Sequence, residues 1–329
     1  MSDRPSIAVI GSLNMDLVVP VPRHPTPGET LLGRDYASHP GGKGANQAVA
    51  AARAGGSVRM IGRVGEDAFS GALREALKRD GIDVRRVLAS EAPTGVAFIQ
   101  VDPSGENVIV VSPGANARLS PDDLEGALDP APDVLLLQLE VPLGTVLAGA
   151  KAARADGSTV VLSVAPAQAL GPDQLRDVSV LLVNQHEAAM LLRRPEAEVR
   201  SDPEAAVSAL LTLAPAAVIT LGGDGAVWAD ASGSGRHASF EVPAVDTTAA
   251  GDAFAGALGV RLGEGMPLRD AVRFASAAGA LAVTAHGAQP SLPARPAIEA
   301  LLAREQAHGG ALGDAAATVG TDPSLHADA

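Results

Sequence analysis

The sequence predicts an α/β protein in which one mainly parallel sheet is covered by helices on both faces. Short, continuous apolar runs of strand length recur along the chain, and Ala-rich segments with helical start signals lie between them. Strands that are apolar on both sides are typical of the interior of a parallel sheet, and their alternation with helices favours a layered architecture. The strand-like runs occupy residues 7–10, 58–61, 134–137, 159–162, 180–183 and 217–220.

Two of the helical segments have clear start signals. Ser120 precedes Pro121, and Asp202 precedes Pro203, in each case with a carboxylate at the next position. Serine and aspartate side chains can cap the free N–H groups of a helix, and proline is favoured at the first helical position. We therefore expect helices to begin at these two points.

Four strand-like segments interrupt the alternation. Residues 17–21 and 34–39 follow the first strand without a helix, and residues 95–101 and 107–111 predict a hairpin that turns at residues 102–105. Together they predict a small separate sheet. Ligands bind outside the carboxyl ends of parallel strands, so this sheet would be either a lid over such a crevice or a simple extension of the domain edge.

The composition is that of a large and strongly acidic chain. Its 329 residues include 25 Lys and Arg against 38 Asp and Glu, which gives a formal net charge of −13. This length corresponds to one large or two modest domains, and 47% apolar residues are enough for a sizeable core. The negative charge disfavours nucleic-acid polymers and anionic membranes as partners, because both are bound mainly through Lys and Arg.

The absence of cysteine bears on chemistry and on cellular location. It excludes disulfides, thiolate nucleophiles and Cys-based metal sites, and it is consistent with a reducing cytoplasm. The apolar run at residues 7–10 is shorter than a signal-peptide core, and no run approaches the roughly 18 apolar residues of a membrane span. We therefore expect a cytoplasmic protein that is neither exported nor inserted in a membrane.

A glycine-rich segment at residues 39–48, HPGGKGANQA, is the most unusual part of the sequence. Its glycines let the backbone approach a polar ligand closely, and the helix expected to follow would present free N–H groups to that ligand. The spacing differs from that of a Walker phosphate loop, because Ala37 stands where the first glycine would be. The polar Lys43 and Asn46 favour a ligand site over a purely structural turn.

A second segment, AVDTTAAGDAFAG at residues 244–256, places small residues and one carboxylate at an expected helix start. Free N–H groups at a helix N-terminus form an anion hole that suits a phosphate in transfer. A carboxylate beside that hole, here Asp252, can take the proton from a hydroxyl that attacks the phosphorus. Alone, the pattern also fits an ordinary helix with an acidic residue in its first turn.

Other polar residues stand where predicted strands end, which is where ligands bind in α/β folds. The glycine turn at residues 220–225, TLGGDG, fits either a nucleotide site or a hairpin. Asn184 and Glu187 follow another strand with a spacing that could hold hydrated Mg²⁺. Comparable strand-end positions are occupied by Asn14, Asp16 and Glu140.

Taken in order, these segments resemble the ribokinase-like, phosphofructokinase B-type family of sugar kinases. The resemblance covers about residues 5–304 and implies a layered α/β/α, Rossmann-like domain with a β-sheet lid. Residues 306–329 lie outside it, are rich in Gly, Ala and Asp without periodicity, and predict a disordered tail. The matching stretches are GSLNMD at 11–16, PTPGET at 25–30, GGKGANQA at 41–48, GANA at 114–117, QLE at 138–140, NQHE at 184–187, DTTAAGD at 246–252 and GAQPS at 287–291.

The resemblance implies an ATP-dependent kinase that phosphorylates the primary 5-hydroxyl of D-ribose. Asp252 would be the general base, and the amides of Ala249, Ala250, Gly251 and Asp252 would stabilise the transferring phosphoryl group. The sugar would be held by Asn14, Asp16, Gly42, Lys43, Asn46 and Glu140, together with Asp252. The nucleotide would be held by Asn184, Thr220, Gly222, Gly223, Asp224, Gly225, Gly251 and Ser276.

The same resemblance implies two cations and a protein partner. Mg²⁺ would be organised by Asn184 and Glu187, partly through water. The family pairs through its lid sheets, so a homodimer is expected. K⁺ would sit beside the anion hole, bound by the side chains of Asp246 and Ser291 and by the carbonyls of Thr248, Ala282, Ala285 and Gly287.

Some features leave the substrate open. The sequence departs from the family pattern at Ser163-Val164, at Gln185-His186 and at Ser276, which bears on adenine and Mg²⁺ binding. Relatives act on 2-deoxyribose, fructose, phosphorylated sugars or nucleosides; 2% aromatic residues disfavour a nucleoside, and only three lysines disfavour a phosphorylated sugar. A non-catalytic sensor with the same fold is the alternative outside enzymes, although the base and the anion hole are both intact.

Overall fold

The structure, a computed structural model, describes residues 4–316 and confirms the mixed α/β architecture. Its strands are β1 Ser6–Ile10, β2 Asn14–Pro20, β3 Ala37–Gly41, β4 Ser57–Gly65, β5 Asp83–Ser90, β6 Gly95–Val101, β7 Asn107–Ser112, β8 Val134–Leu137, β9 Thr159–Ser163, β10 Val180–Asn184, β11 Ala216–Thr220, β12 Ala226–Asp230 and β13 Gly233–His237. Its α-helices are α1 Lys43–Arg53, α2 Ala68–Arg79, α3 Leu143–Ala155, α4 Pro172–Leu175, α5 Gln185–Leu192, α6 Glu196–Ser201, α7 Pro203–Leu210, α8 Ala250–Gly263, α9 Leu268–Ala282 and α10 Arg295–Ala316.

Nine strands form one large sheet in the order β13-β12-β11-β10-β9-β8-β1-β4-β5. All neighbours from β11 to β5 run parallel, and β12 and β13 add an antiparallel edge. All six predicted apolar runs lie within strands of this sheet. The carboxyl ends of β1, β8, β10 and β11 therefore meet along one edge of the sheet, where the predicted ligand residues follow them.

Two apolar cores cover the two faces of the large sheet. Alternate residues of β1 point to opposite sides, so Val9 packs in one core and Ile10 in the other. The first core includes residues of α1, α8 and α9, and the second includes residues of α3, α5 and α7. This is the layered α/β/α arrangement that strands apolar on both sides require.

The four remaining strands form the predicted small sheet, in the order β3-β2-β6-β7. The hairpin at residues 102–105 is confirmed, but two predicted boundaries are wrong. β2 begins at Asn14 rather than residue 17, and β3 spans Ala37–Gly41 rather than residues 34–39. The cause is register: β2 and β3 pair antiparallel from Asn14 opposite Gly41 to Val18 opposite Ala37.

Both predicted helix starts are present in different forms. Asp202 caps α7 by accepting from the Ala205 N–H at 2.9 Å. Ser120 instead precedes a single 3₁₀ turn, Pro121–Leu124. α10 continues to Ala316, so residues 306–316 are helical where the sequence predicts disorder; the four alanines of this stretch favour continuation of the helix, while its three glycines oppose it. The rest of the predicted tail lies outside the described residues.

Within residues 4–316, no helix combines the length and apolarity needed to cross a membrane.

Candidate active site

The glycine-rich turn between β3 and α1 brings the predicted sugar ligands together. Gly42 has a φ of +90°, and a Cβ at this position would come within 2.7 Å of the Asn14 backbone nitrogen. A Cβ at Gly44 would lie 2.5 Å from the Ser12 nitrogen. Only glycine tolerates such a conformation and such close approach. The turn thus places the start of α1 directly against the start of β2.

Asp252 lies in the first turn of α8 and is buried, with 7% of its surface exposed. Asn46 Nδ2 donates to its Oδ2 at 3.1 Å, and Gln47 Nε2 donates to its Oδ1 at 3.1 Å. One helical turn further on, α1 and α8 pack tightly, since a Cβ at Gly256 would lie 2.5 Å from Ala50 Cβ. This contact between the helices holds the candidate base beside the glycine-rich turn.

The site has an acidic cluster balanced by one lysine. Attraction to Asp252 raises the pKa of Lys43 against the opposing effect of burial, and Glu140, Glu187 and Asp16 add to the increase. Burial, together with the carboxylates of Glu140 and Asp252, raises the pKa of Asp16 to about 7 against the opposing effect of Lys43. Asp16 is therefore partly protonated at neutral pH, while Lys43 stays charged.

Glu140 follows β8 and is fixed from two sides. Its Oε2 accepts from Ser12 Oγ at 2.5 Å and from the Lys43 backbone N–H at 3.1 Å. Ser12 Oγ in turn accepts from the Gly44 N–H at 3.2 Å. These contacts connect the end of β1, the glycine-rich turn and Glu140 in one network.

The predicted anion hole lies where α8 begins. Ala249 precedes the helix in the left-handed region, with a φ of +60°, which is uncommon for a residue with a side chain. The Ala250 N–H donates to Thr247 O at 3.3 Å, whereas the N–H groups of Ala249, Gly251 and Asp252 have no acceptor among the described residues. Three free N–H groups and the helix dipole at this point favour an anion.

A cavity of about 230 Å³ extends from this helix start to the ends of β10 and β11. The predicted nucleotide residues Gly222, Gly223, Asp224, Gly225 and Ser276 do not line it: residues 222–224 form the turn of the β11–β12 hairpin, and Ser276 Oγ donates to Val272 O within α9. The lining residues are Lys43, Ser163, Ala165, Leu182, Val183, Asn184, Glu187, Thr220, Thr247, Ala249, Ala250, Gly251 and Asp252.

Asn184 and Glu187, the predicted Mg²⁺ pair, are bonded to each other. Glu187 accepts from the Asn184 backbone N–H at 2.8 Å and from its Nδ2 at 3.0 Å, and Asn184 Oδ1 accepts from the Glu187 N–H at 2.8 Å. Burial raises the pKa of Glu187. Each carboxylate oxygen keeps a second lone pair, which suits contact with a metal through water. No cluster of three or more His, Asp or Glu within residues 4–316 is arranged to bind a metal directly.

Asp246 organises the loop predicted to bind K⁺. Its Oδ1 accepts from the Thr248 N–H at 2.9 Å, and its Oδ2 accepts from the Gly287 N–H at 2.8 Å. Although burial acts in the opposite direction, the hydrogen bond from the Thr248 hydroxyl and those from the two N–H groups lower the pKa of Asp246, so it stays ionised. Ser291 Oγ donates to Ala288 O at 2.8 Å within the same loop. The donor set is an ionised carboxylate with nearby carbonyls, which fits a cation.

A second, larger cavity of about 1100 Å³ separates the small sheet from the loop at residues 244–248. Asp16 of the small sheet and Arg34, in the loop before β3, line it from one side, and Asp246 lines it from the other. Thr247 lines both this cleft and the smaller cavity. The two spaces therefore adjoin, with the small sheet on one side as a lid would be.

Four polar side chains in this region received no role from the sequence. They are Ser12, Gln47, Asn116 and Gln138, all buried inside motifs whose other residues were assigned roles. Asn116 Nδ2 donates to Asn14 Oδ1 at 2.7 Å, Gln138 Nε2 donates to Gln47 Oε1 at 2.6 Å, and Ser12 Oγ donates to Glu140. Their partners are distant in the chain, so sequence spacing could not reveal the contacts.

The arrangement has the parts needed for transfer of a phosphoryl group to a hydroxyl. A carboxylate can accept the hydroxyl proton, and free N–H groups can stabilise the charge on the transferring group. Asn46 Oδ1 is buried without a hydrogen-bond partner among the described residues, which leaves it an acceptor for a ligand hydroxyl. The fold and this site together define a phosphotransferase that acts on polyhydroxylated small molecules.

The comparisons with known proteins agree with this class. Residues 4–295 match the model of the pfkB family of carbohydrate kinases, and the chain belongs to that family. A ribokinase from Haemophilus influenzae is 41% identical over 296 residues, which cover 89% of this chain and 96% of the relative.

Two solved structures share the fold over nearly their whole length. The ribokinase of Thermotoga maritima is 36% identical with a TM-score of 0.81, covering 91% of this chain and 99% of its own. The ribokinase of Arabidopsis thaliana in complex with ribose and ATP is 32% identical with a TM-score of 0.83 and the same coverage. The predicted fold, family and enzyme class are thereby confirmed.

Proposed function

We propose that this protein phosphorylates D-ribose at O5, with ATP as phosphoryl donor, to give D-ribose 5-phosphate and ADP. The observation that carries the proposal is the buried Asp252 carboxylate, held between two amide donors beside free N–H groups at the start of α8. Several relatives at 33–41% identity are ribokinases, which favours ribose within the family.

In this proposal the residues have distinct tasks. Asp252 takes the proton of the 5-hydroxyl as its oxygen attacks the γ-phosphorus, and the N–H groups at the start of α8 stabilise the transferring group. Asn14, Asp16, Gly42, Lys43, Asn46 and Glu140 hold the other hydroxyls. Asn184 and Thr220 bind the nucleotide from the smaller cavity, and the turn at residues 222–225 and Ser276 bind it outside that cavity. Asn184 with Glu187 organises Mg²⁺ through water. Mg²⁺ would neutralise charge on the phosphates.

The test is ADP release with ribose, 2-deoxyribose, fructose, fructose 6-phosphate and adenosine as acceptors. We expect ribose to have the highest kcat/KM of the five. A different acceptor in first place would replace ribose but keep the kinase, because one hydroxyl or methylene changes specificity by only about 1–3 kcal/mol unless a buried partner is left unpaired. No turnover with any acceptor, but binding of sugar or nucleotide, would favour the non-catalytic sensor.

Sugar binding should depend on the ionisation of Asp16. Its pKa of about 7 means that the carboxylate form, which accepts hydrogen bonds from two hydroxyls, predominates only above that pH. The KM for sugar should therefore fall as the pH rises from about 6 to about 8. Asp16→Asn should raise KM and remove this pH dependence; the same slope in that variant would exclude Asp16 as its source.

Ionisation of Asp16 should strengthen sugar binding but weaken the stability of the folded protein without sugar. In the unfolded chain Asp16 ionises near its ordinary, lower pKa, so the folded protein binds the extra proton between that value and about 7. Stability without sugar should therefore fall as the pH rises through this window. Asp16→Asn should abolish that part of the decrease in thermal unfolding midpoint.

We further propose that K⁺ activates the enzyme at the Asp246 loop. Binding of a monovalent cation by the Asp246 carboxylate, Ser291 and the carbonyls of Thr248, Ala282, Ala285 and Gly287 would order the loop that leads into the anion hole. Activity should be higher in K⁺ than in Na⁺ at equal ionic strength, and Asp246→Asn should remove the difference. Equal rates of the unmodified protein in both salts would exclude this site.

Pairing of two copies through the lid sheet is also proposed. Ile99 and Ile109 line the cleft, whereas Phe98 and Val110, paired across β6 and β7, face away from it and are 50% and 62% exposed. An unpartnered apolar sheet face of this kind marks an interface. Light scattering should give a dimer mass, and Val110→Lys should give a monomer. A monomeric unmodified protein would contradict the proposal.

A cytoplasmic location stays a prediction from composition.

A further inference from the structure

Gln47 and Gln138 form a buried pair of amides behind the candidate base. Gln47, in α1, is 1% exposed, and Gln138, directly after β8, is fully buried. Gln138 Nε2 donates to Gln47 Oε1 at 2.6 Å, and Gln47 Nε2 donates to Asp252 Oδ1 at 3.1 Å. The pair connects the central sheet to one oxygen of the carboxylate.

The order of donors in this chain fixes the orientation of the Gln47 amide. Its oxygen is occupied by the Gln138 NH₂ group, so its own NH₂ group must face Asp252. The opposite orientation would place an amide oxygen against a carboxylate oxygen and an NH₂ group against another NH₂ group. Gln138 therefore selects the rotamer in which Gln47 donates to the base.

This pair is retained at a structural cost. Gln138 Oε1 is buried and has no hydrogen-bond partner among the described residues, and an unpaired buried acceptor is destabilising. Room for the side chain exists only because residue 11 is glycine: a Cβ there would lie 2.0 Å from Gln138 Oε1. An apolar residue of the same size would pack at position 138 without this cost, so the amide has a use other than packing.

The two oxygens of Asp252 are thereby distinguished. Oδ1 is held by Gln47, whose own oxygen is already occupied by Gln138, whereas Oδ2 accepts from Asn46, whose own Oδ1 lacks a partner among residues 4–316. A hydroxyl that reaches Asn46 is thus beside Oδ2 as well. We propose that Gln47, held by Gln138, is a positioning residue that reserves Oδ1 as a structural acceptor and presents Oδ2 to the attacking hydroxyl.

This inference rests on the proposed kinase activity. As the hydroxyl oxygen forms its bond to the γ-phosphorus, its proton passes to Oδ2, and the bond between the γ-phosphorus and the bridging oxygen breaks with its electron pair leaving on ADP. The bond from Gln47 stabilises the ionised carboxylate before transfer. The other charged groups that act on Asp252 are Lys43 and Asp16; Glu140 and Glu187 act on Lys43.

The variant Q47M tests the role of the donor, since methionine fills similar space without an amide. We expect kcat to fall about 10- to 100-fold, because a misplaced reacting group costs this much, while the KM for sugar changes less than about threefold. The carboxylate also loses a donor, so the acidic limb of the kcat against pH profile should move to higher pH by roughly one pH unit. A purely structural role would lower the unfolding midpoint and leave this limb in place.

The variant Q138M tests the relay without touching Asp252. It should show a smaller loss, about 3- to 10-fold in kcat, with the limb shifted the same way. Residues in one network are not additive, so Q47M/Q138M should be no slower than Q47M. Gln174→Met removes a half-buried amide contact at the start of α4 and serves as the control with unchanged kcat.

The outcomes separate this inference from the proposed function. If the unmodified protein does not phosphorylate ribose, the proposed substrate is wrong, and the variants are compared on the acceptor that the panel selects. If the unmodified protein turns over and Q47M and Q138M keep its kcat and its acidic limb, the positioning role is wrong while the activity stands. If Q47M does not fold, the kcat and pH profile of Q138M decide.

Discussion

Asp252→Asn is expected to lower kcat by about 10²- to 10⁴-fold while the protein folds and binds sugar. The amide cannot take the hydroxyl proton, although it occupies the same volume. Its one oxygen can satisfy only one of the two donors, Asn46 and Gln47, so its NH₂ group must face the other. A modest loss of stability should accompany the loss of rate, measured by thermal unfolding and by calorimetric titration with sugar.

A matched control is available in α9. Asp270 is also an acidic residue in the first turn of a helix, but it lines neither cavity and pairs with Arg269 at 3.3 Å. Asp270→Asn should lose only the favourable interaction with the helix dipole, about 0.3–1 kcal/mol, and keep full kcat. Turnover near the normal rate in Asp252→Asn, or an equal loss in Asp270→Asn, would remove Asp252 as the base.

The sequence predicted the fold well because the fold depends on local pattern. Apolar runs such as residues 134–137 lie in strands whose limits agree within one residue, except that β4 continues four residues beyond the predicted run at 58–61; burial on both faces demands an unbroken apolar run. The edges of the small sheet were less accurate. β2 begins at Asn14 because of its pairing with β3, and such a register depends on residues distant in the chain.

The candidate site shows the same division. Motif residues such as Lys43, Asn46 and Asp252 could be selected because glycines, a lysine and a helix-start carboxylate are unusual in their setting. Gln47 and Gln138 could not be assigned roles, because their meaning lies in one hydrogen bond between residues 91 positions apart. The raised pKa of Asp16 likewise arises from burial and from carboxylates on other elements. Both properties exist only once α1, β2 and β8 are assembled.

Lys43→Met is expected to weaken sugar binding about 10²-fold and to change its pH dependence. Lys43 is the cation that offsets the charges of Asp16, Glu140 and Asp252. Removal of one partner from a group of buried charges costs several kcal/mol. The cost is smaller here because Lys43 is only half-buried. Without it, nothing opposes the neighbouring carboxylates in raising the pKa of Asp16. The fall in KM with pH should therefore move above pH 7.

The measurement is KM for sugar from about pH 6 to pH 9 in Lys43→Met, with two companions. Lys43→Arg keeps the charge, so it should return the pH midpoint of the KM curve to that of the unmodified protein. It should restore the affinity for sugar less fully, because a guanidinium is larger and shaped differently. Lys78→Met removes an exposed lysine that pairs with Glu75 at 2.7 Å and should change neither the midpoint nor the affinity. An unshifted midpoint in Lys43→Met would mean that Asp16 does not respond to the lysine charge. In that case the pH dependence of sugar binding would have to come from another carboxylate of the cluster.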